Sequence, residues 1–122
     1  GAYGTVLDLG SGEHVFDTRV CFENLFGFLR VGGSLLLHTG VGGYFNHGLH
    51  TYSPECVLQC LEINGFELLY VKYTSPHGIE ISEPFRGTDI LLWAVARKVE
   101  TPPEFRIPQQ GRWAPRYRPK GD

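Results

Sequence analysis

The chain has 122 residues, a size that allows one domain with one modest core. Its composition, 42% hydrophobic and 20% charged, is ordinary for a globular protein, and the formal net charge of −2 argues against a general nucleic-acid binder. No apolar run approaches the roughly 20 residues that span a bilayer, so we expect no membrane association. Three cysteines at low density predict reduced thiols in a cytoplasmic protein.

The first part of the chain predicts a strand, a helix and a second strand. Residues 4–10 form a short apolar run ended by glycine, which is typical of a strand. Residues 17–31 carry apolar side chains at helical spacing, and Asp17 or Thr18 can cap the start of this helix. Residues 34–38 form an apolar run bounded by glycines, which predicts a buried strand.

After a glycine-rich loop over residues 40–52, the chain predicts a second helix and two more strands. The Ser-Pro-Glu sequence at 53–55 favours a helix start, because serine supplies the cap oxygen and proline suits the first helical position. Residues 66–74 and 89–97 predict strands joined by a loop over residues 75–88, and therefore an antiparallel pair. The order βαβαββ predicts an α/β, partial Rossmann-like fold with about four strands, two main helices and a parallel first pair.

The composition changes towards the end of the chain. Residues 101–122 hold five of the eight prolines and a net charge of +3, whereas residues 1–100 carry −5. We therefore predict an α/β half-domain over residues 1–100 and an extended, Pro/Arg-rich arm over residues 101–122. Phe105, Trp113 and Tyr117 give the arm side chains to bury against the body or a neighbouring subunit; the alternative is a solvated, disordered tail.

A glycine-rich segment, Gly10-Ser11-Gly12, follows the first predicted strand. It resembles the first motif of S-adenosylmethionine-dependent methyltransferases, in which a tight turn lets the backbone approach the cofactor. However, Glu13 follows where a third glycine is expected, and the next strand ends in His38 instead of an acid that would hold the ribose hydroxyls. This alignment is therefore the weaker of two.

The stronger alignment covers about residues 4–97. The Glu13-His14-Val-Phe segment, the Leu-Arg-Val-Gly-Gly turn, the Asn46-His47-Gly segment, the Ser-Pro helix start and the Asn-Gly-Phe turn resemble the carboxyl-terminal half of class I methyltransferases. The resemblance implies that the first strand corresponds to the family's fourth, so that the strands bearing the cofactor loop would precede residue 1. It implies a methyltransferase-like module that lacks the usual cofactor-binding half and is not an autonomous enzyme.

Two alternatives stay open for the function. In the first, a dimer mate or a second chain completes the domain, and only then does the protein bind S-adenosylmethionine and transfer a methyl group. In the second, the basic and aromatic arm binds a partner or RNA through charge and stacking, although docking on the acidic body is the simpler expectation. An exposed edge on the first strand, or the arm, predicts a homodimer.

The candidate site lies where the first two predicted strands end, because open α/β sheets bind ligands beyond the carboxyl ends of their strands. Glu13 or His14 would act as a general base, and Asn46 or His47 would orient a substrate. The candidate pocket residues are Gly10, Ser11, Gly12, Asn46 and His47. The alternative is a local role, in which Glu13 and His14 cap the helix and the other polar side chains hold a loop.

The segment that begins at residue 47 contains four residues of types that could bind a metal. His47, His50, Cys56 and Cys60 are of the types that bind zinc, and the two cysteines lie one helical turn apart. Their spacing matches no common zinc pattern, and buried cysteines usually pack as small hydrophobic side chains. We therefore expect no metal.

Overall fold

Two helices and four strands form the regular structure of residues 1–82 and 88–119, which are the residues described by the computed structural model. In chain order they are β1 (Tyr3–Leu9), α1 (Thr18–Phe28), β2 (Leu29–Gly42), α2 (Pro54–Ile63), β3 (Phe66–Thr74) and β4 (Ile90–Lys98), with a 3₁₀ turn over Gly12–His14. Part of the predicted loop over residues 75–88, and the last three residues of the predicted arm, lie outside the described residues. No described helix has both the length and the hydrophobicity needed to cross a membrane.

The strands make one mixed sheet in the order β1-β2-β4-β3. β1 pairs parallel with β2, and β4 lies antiparallel to both β2 and β3. This arrangement confirms the predicted α/β class with four strands and two helices, and also the antiparallel pairing of the last two strands.

The first helix ends earlier than predicted. α1 stops at Phe28 instead of residue 31, and β2 begins at Leu29, which pairs with β1. The Lys98 ammonium donates hydrogen bonds to the carbonyl oxygens of Phe26 and Leu29, both at 2.8 Å, and so satisfies the end of the helix. Gly32, at φ 90°, lies in an irregular stretch of β2 instead of ending the helix. β2 also runs to Gly42, three residues into the predicted loop.

Both helices pack against the same face of the sheet. Side chains of α1 and α2 join alternate residues of β2 and β4 in one core, and each large apolar side chain buried there contributes about 1.5–3 kcal/mol. The fully buried residues of this core include Leu29, Leu35, Val57, Leu61, Leu92 and Ala96. The structure therefore has two layers, with its core on one side of the sheet.

The other face of the sheet carries an apolar row, which we call the open face. The strand register sets Leu7, Leu36, Val95 and Tyr70 side by side across all four strands. Leu7 is 59% exposed and Tyr70 is 49% exposed. No helix of the described chain covers this row.

The arm, residues 101–119 as described, has no regular secondary structure and runs over the body. Phe105, Trp113 and Tyr117 pack against the core. The arm is fixed at the end of α2, where the buried side chains of Glu62 and Asn64 bond to its backbone and to an indole N–H. These contacts place the aromatic side chains of the arm on the chain's own body.

The two outer edges of the sheet differ. On β3, the Val71 amide donates to the Tyr117 hydroxyl at 3.2 Å, and the Tyr73 carbonyl accepts from the Ile81 amide at 2.8 Å. The edge of β3 is therefore partly covered by the arm and by the segment that follows the strand. The outer edge of β1 has no strand partner in residues 1–82 or 88–119.

Candidate functional site

The turn after β1 is built from local hydrogen bonds. Asp8, which is buried, accepts a hydrogen bond from the Ser11 amide at 2.9 Å. The amides of His14 and Val15 then donate to the carbonyls of Ser11 and Gly12, both at 3.1 Å. Glu13 lies within this turn, which directs its side chain towards the interior.

Glu13 is only 5% exposed, which is unusual for a carboxylate. Its Oε2 atom accepts one long hydrogen bond of 3.5 Å from the Thr39 hydroxyl, and its Oε1 atom has no hydrogen-bond partner among the described residues. The backbone carbonyl of Glu13 accepts from the His50 amide at 3.0 Å, so the loop after β2 holds the residue in place. One buried carboxylate oxygen of Glu13 is thus left without a hydrogen-bond partner among the described residues.

A cleft of about 380 Å³ opens beside this carboxylate, at the carboxyl ends of β1 and β2. The polar residues and glycine that line it include Gly10, Glu13, His14, His38, Tyr44 and His47. Gly10 has φ 94°, and a Cβ at this position would lie 3.5 Å from His38 Cε1 and 3.9 Å from Glu13 Oε1. Glycine at this turn therefore keeps the space between the two side chains open.

Imidazole rings surround the cleft. The rings of His14 and His47 meet edge to face with centroids 5.1 Å apart, and Tyr44 lies 5.6 Å from His47. The ring of His38 lies 4.6 Å from that of Trp93, and its Nδ1 atom is buried without a partner in the described chain. The cleft thus combines a carboxylate with several imidazole side chains.

The structure brings together four of the predicted site residues, namely Gly10, Glu13, His14 and His47, around the same cleft. Ser11 and Gly12 belong to the preceding turn, and Asn46 is an exposed loop residue with φ 56°. His38 was not predicted as a site residue. The signal that could have identified it is its position at the end of β2, where it pairs with Leu9 at the end of β1.

The residues considered for zinc do not form a metal site. No group of three or more His, Cys, Asp or Glu side chains in residues 1–82 and 88–119 is arranged to hold a metal ion. Cys60 lies in the core, where burial raises the pKa of its thiol from 9.0 to about 12. The ring Nε2 of His50 donates to the Phe16 carbonyl at 2.9 Å. Since the thiolate is the form that binds zinc, Cys60 is a poor ligand here.

The Gly10–Gly12 turn packs partly against the chain's own side chains. Its Ser11 amide is bonded to Asp8, and a Cβ on Gly12 would lie 3.0 Å from Asp8 Oδ2 and 3.6 Å from Cys21 Sγ. The Ser11 amide is therefore not free to bind a cofactor.

Comparisons with known proteins indicate no family for this chain. No protein-family model matches the chain, and no curated protein matches it at a significant level.

Proposed function

We propose that the chain is a methyltransferase-like α/β module, equivalent to the carboxyl-terminal half of the class I fold, which does not bind S-adenosylmethionine by itself. The sheet order supports this proposal. A parallel pair, β1 and β2, is followed by a last strand inserted antiparallel between β2 and β3. Class I methyltransferase sheets end with the same arrangement.

The sheet order carries this proposal, and the Glu13 carboxylate indicates where the module would bind a ligand. It is buried with one unpartnered oxygen, at the end of a parallel strand pair, where open α/β sheets bind ligands. Leaving a buried acceptor without a partner costs about 1–3 kcal/mol, and charged groups cost more. Such a cost is expected at a binding site, where a ligand supplies the missing donor.

The module offers one wall of a site. Glu13 can accept a hydrogen bond from a ligand in the cleft, and the imidazole rings of His14 and His47 line the same cleft. The far side of β1, where a second wall would stand, is an unpaired edge in the described residues.

Equilibrium dialysis of labelled S-adenosylmethionine against the purified chain tests the proposal. We expect no saturable binding at any chain concentration, while circular dichroism shows the folded state. Saturable binding to the monomeric chain, lost in Glu13→Gln, would overturn it.

The second candidate is a methyltransferase completed by a dimer mate or another chain. The observation that favours it is the pair of unpartnered buried atoms, Glu13 Oε1 and His38 Nδ1, on two sides of one cleft. If a dimer mate completes the site, S-adenosylmethionine binding should appear only at chain concentrations where the dimer forms. Dialysis across a hundredfold range of chain concentration separates the two candidates.

Binding of RNA or a partner by the arm has less support. Trp113 and Tyr117, which would stack on bases, pack against the core instead. The Trp113 indole N–H also donates to Glu62 at 2.9 Å. The arm would have to leave the body before these side chains could bind another molecule.

A further inference from the structure

We propose that Asn64 is a site of spontaneous deamidation, and that docking of the arm controls the rate of this reaction. Asn64 and Gly65 form an Asn-Gly pair at the end of α2, where the arm is fixed to the body. This pair is prone to deamidation because glycine has no side chain to hinder attack by its backbone nitrogen. The inference concerns the joint between α2 and the arm, and it is independent of methyl transfer and of the cleft.

The reaction needs no reagent except water. The Gly65 backbone nitrogen attacks the side-chain carbonyl carbon of Asn64 and forms a C–N bond. The Cγ–Nδ2 bond breaks and ammonia leaves, with the amide proton passing through solvent to the leaving group. Water then opens the resulting succinimide ring at one of its two carbonyls. The product is aspartate, or isoaspartate when the backbone runs through the former side chain.

The turn between α2 and β3 requires glycine directly after Asn64. Gly65 has φ 89°, and a Cβ at this position would collide with the Glu100 carbonyl oxygen. The carbonyl of Gly65 accepts from the amides of Val99 and Glu100, at 2.7 and 3.2 Å. The fold therefore keeps the reactive pair, since no other residue type fits after Asn64.

The folded chain protects Asn64 in two ways. Its side-chain amide bonds to the backbone of Arg106 and to the Cys60 carbonyl at distances of 2.8 to 3.0 Å, which fixes both the attacked carbonyl and the leaving nitrogen. Its backbone has ψ 24°. At this angle the Gly65 nitrogen and the Asn64 Cβ lie on opposite sides of the Cα–C bond, whereas ring closure requires them on the same side.

Ring closure therefore requires the joint to open. Rotation about the Cα–C bond of Asn64 moves Gly65 away from the amides that it accepts from, and it separates the side chain from Arg106. Only chains with a released arm react, and the rate follows the population of that open state. The product opposes docking, because aspartate lacks the Nδ2 donor and isoaspartate lengthens the backbone. Deamidation thus makes the release of the arm permanent.

Peptide mapping by mass spectrometry, after incubation of the full chain at mildly alkaline pH, tests this inference. Glu62→Ala removes the carboxylate that holds the arm, and we expect it to speed deamidation of Asn64 about tenfold. Glu104→Ala, at an exposed position on the arm, should leave the rate unchanged. Asn46, which is exposed but precedes His47, is the internal reference and should react equally slowly in every variant.

A variant with a weakened core separates release of the arm from global unfolding. Ile90→Ala creates a cavity at the other end of β4, away from the arm, and should leave the Asn64 rate close to that of the native chain. Equal acceleration by Ile90→Ala and Glu62→Ala overturns the proposal. A native chain that deamidates as fast as the urea-unfolded chain also overturns it.

The deamidated chain itself tests whether release becomes permanent. Anion exchange separates it from the native chain, and limited trypsin digestion then compares the two arms. We expect the arm of the deamidated chain to be cut about tenfold faster, because it no longer docks. Equal digestion rates would show that the arm still docks after deamidation, which contradicts the proposed permanence.

Discussion

The side-chain amide of Asn64 pairs with the backbone of Arg106 in both directions. Its Nδ2 donates to the Arg106 carbonyl at 3.0 Å, and its Oδ1 accepts from the Arg106 amide at 2.8 Å. The same Nδ2 donates to the Cys60 carbonyl at 2.8 Å and so satisfies the end of α2. One side chain thus joins the helix end to the arm.

Replacement of this side chain should loosen the arm. We expect Asn64→Ala to lower the free energy of unfolding by about 1–3 kcal/mol, because buried backbone groups lose their partners. Asn64→Asp keeps the acceptor and loses the donor, so its free energy of unfolding should lie between those of the native chain and Asn64→Ala. Urea unfolding measures the loss, and limited trypsin digestion after the arm's arginines measures its release. Gln110→Ala, at an exposed site on the same arm, is the control; an equal effect there would contradict this role.

Replacement of Glu62 should destabilise the chain more than replacement of Asn64. Its buried carboxylate accepts from Trp113 Nε1 and from the Arg116 and Tyr117 amides, at 2.9, 3.0 and 2.9 Å. Glu62→Ala leaves three donors without partners, and each costs about 1–3 kcal/mol if it stays buried. In a Trp93→Phe background the remaining tryptophan is Trp113, and its fluorescence should shift to longer wavelength.

The control for this experiment is Glu104→Ala, which removes an exposed carboxylate of the arm. It should change neither the unfolding midpoint nor the fluorescence. Unchanged Trp113 emission in Glu62→Ala would show that other contacts hold the arm.

Replacement of Glu13, unlike that of Glu62, should not destabilise the chain. Because its Oε1 is buried without a partner, Glu13→Gln removes the acceptor charge while keeping the shape of the side chain. We expect the free energy of unfolding to stay the same or rise by about 1 kcal/mol. Glu62→Gln, tested in the same urea series, should destabilise. A loss of more than about 1 kcal/mol in Glu13→Gln would show that the carboxylate is structural.

The buried thiol of Cys60 should make the folded state less stable at high pH. Burial raises the pKa of its thiol from 9.0 to about 12 in the folded state. Below pH 9 both states keep the proton, so stability does not depend on this group. Between pH 9 and 12 the unfolded chain releases the proton and the folded chain does not, so stability falls by up to about 1.4 kcal/mol per pH unit.

Two measurements check this prediction. A thiol reagent at pH 8 should label the half-buried Cys21 and Cys56 before Cys60, which should react only as the chain unfolds. The decline in stability above pH 9 should be shallower in Cys60→Ala. Burial also raises the pKa values of Cys21 and Cys56, so part of the decline should remain. Equal labelling rates for all three thiols would refute the assignment.

Local sequence signals predicted the elements well because the signals and the contacts are both local. The Ser53 hydroxyl caps α2 through the Cys56 amide at 3.2 Å, and the Asp17 carboxylate caps α1 through the Val20 amide at 3.1 Å. The early end of α1 could not be predicted in this way. It depends on the ammonium of Lys98, which is 72 positions from one of the carbonyls that it satisfies.

The candidate site was predictable in part for the same reason. Glu13 and His14 immediately follow a strand, so their place at its carboxyl end could be inferred from the chain order. The burial of Glu13 could not, because it depends on the distant Thr39 and His50. His38 lines the cleft where β1 and β4 flank β2; the strand order along the chain predicted the pairing with β1, but no local pattern specifies the pairing with β4.

The arm also has a consequence for the outer edge of β3. Its Tyr117 hydroxyl accepts from the Val71 amide at 3.2 Å, so the docked arm occupies a backbone donor that would otherwise be exposed at a strand edge. Detaching the arm would expose this amide to strand addition by another polypeptide. The docked arm therefore protects one edge of the sheet against aggregation.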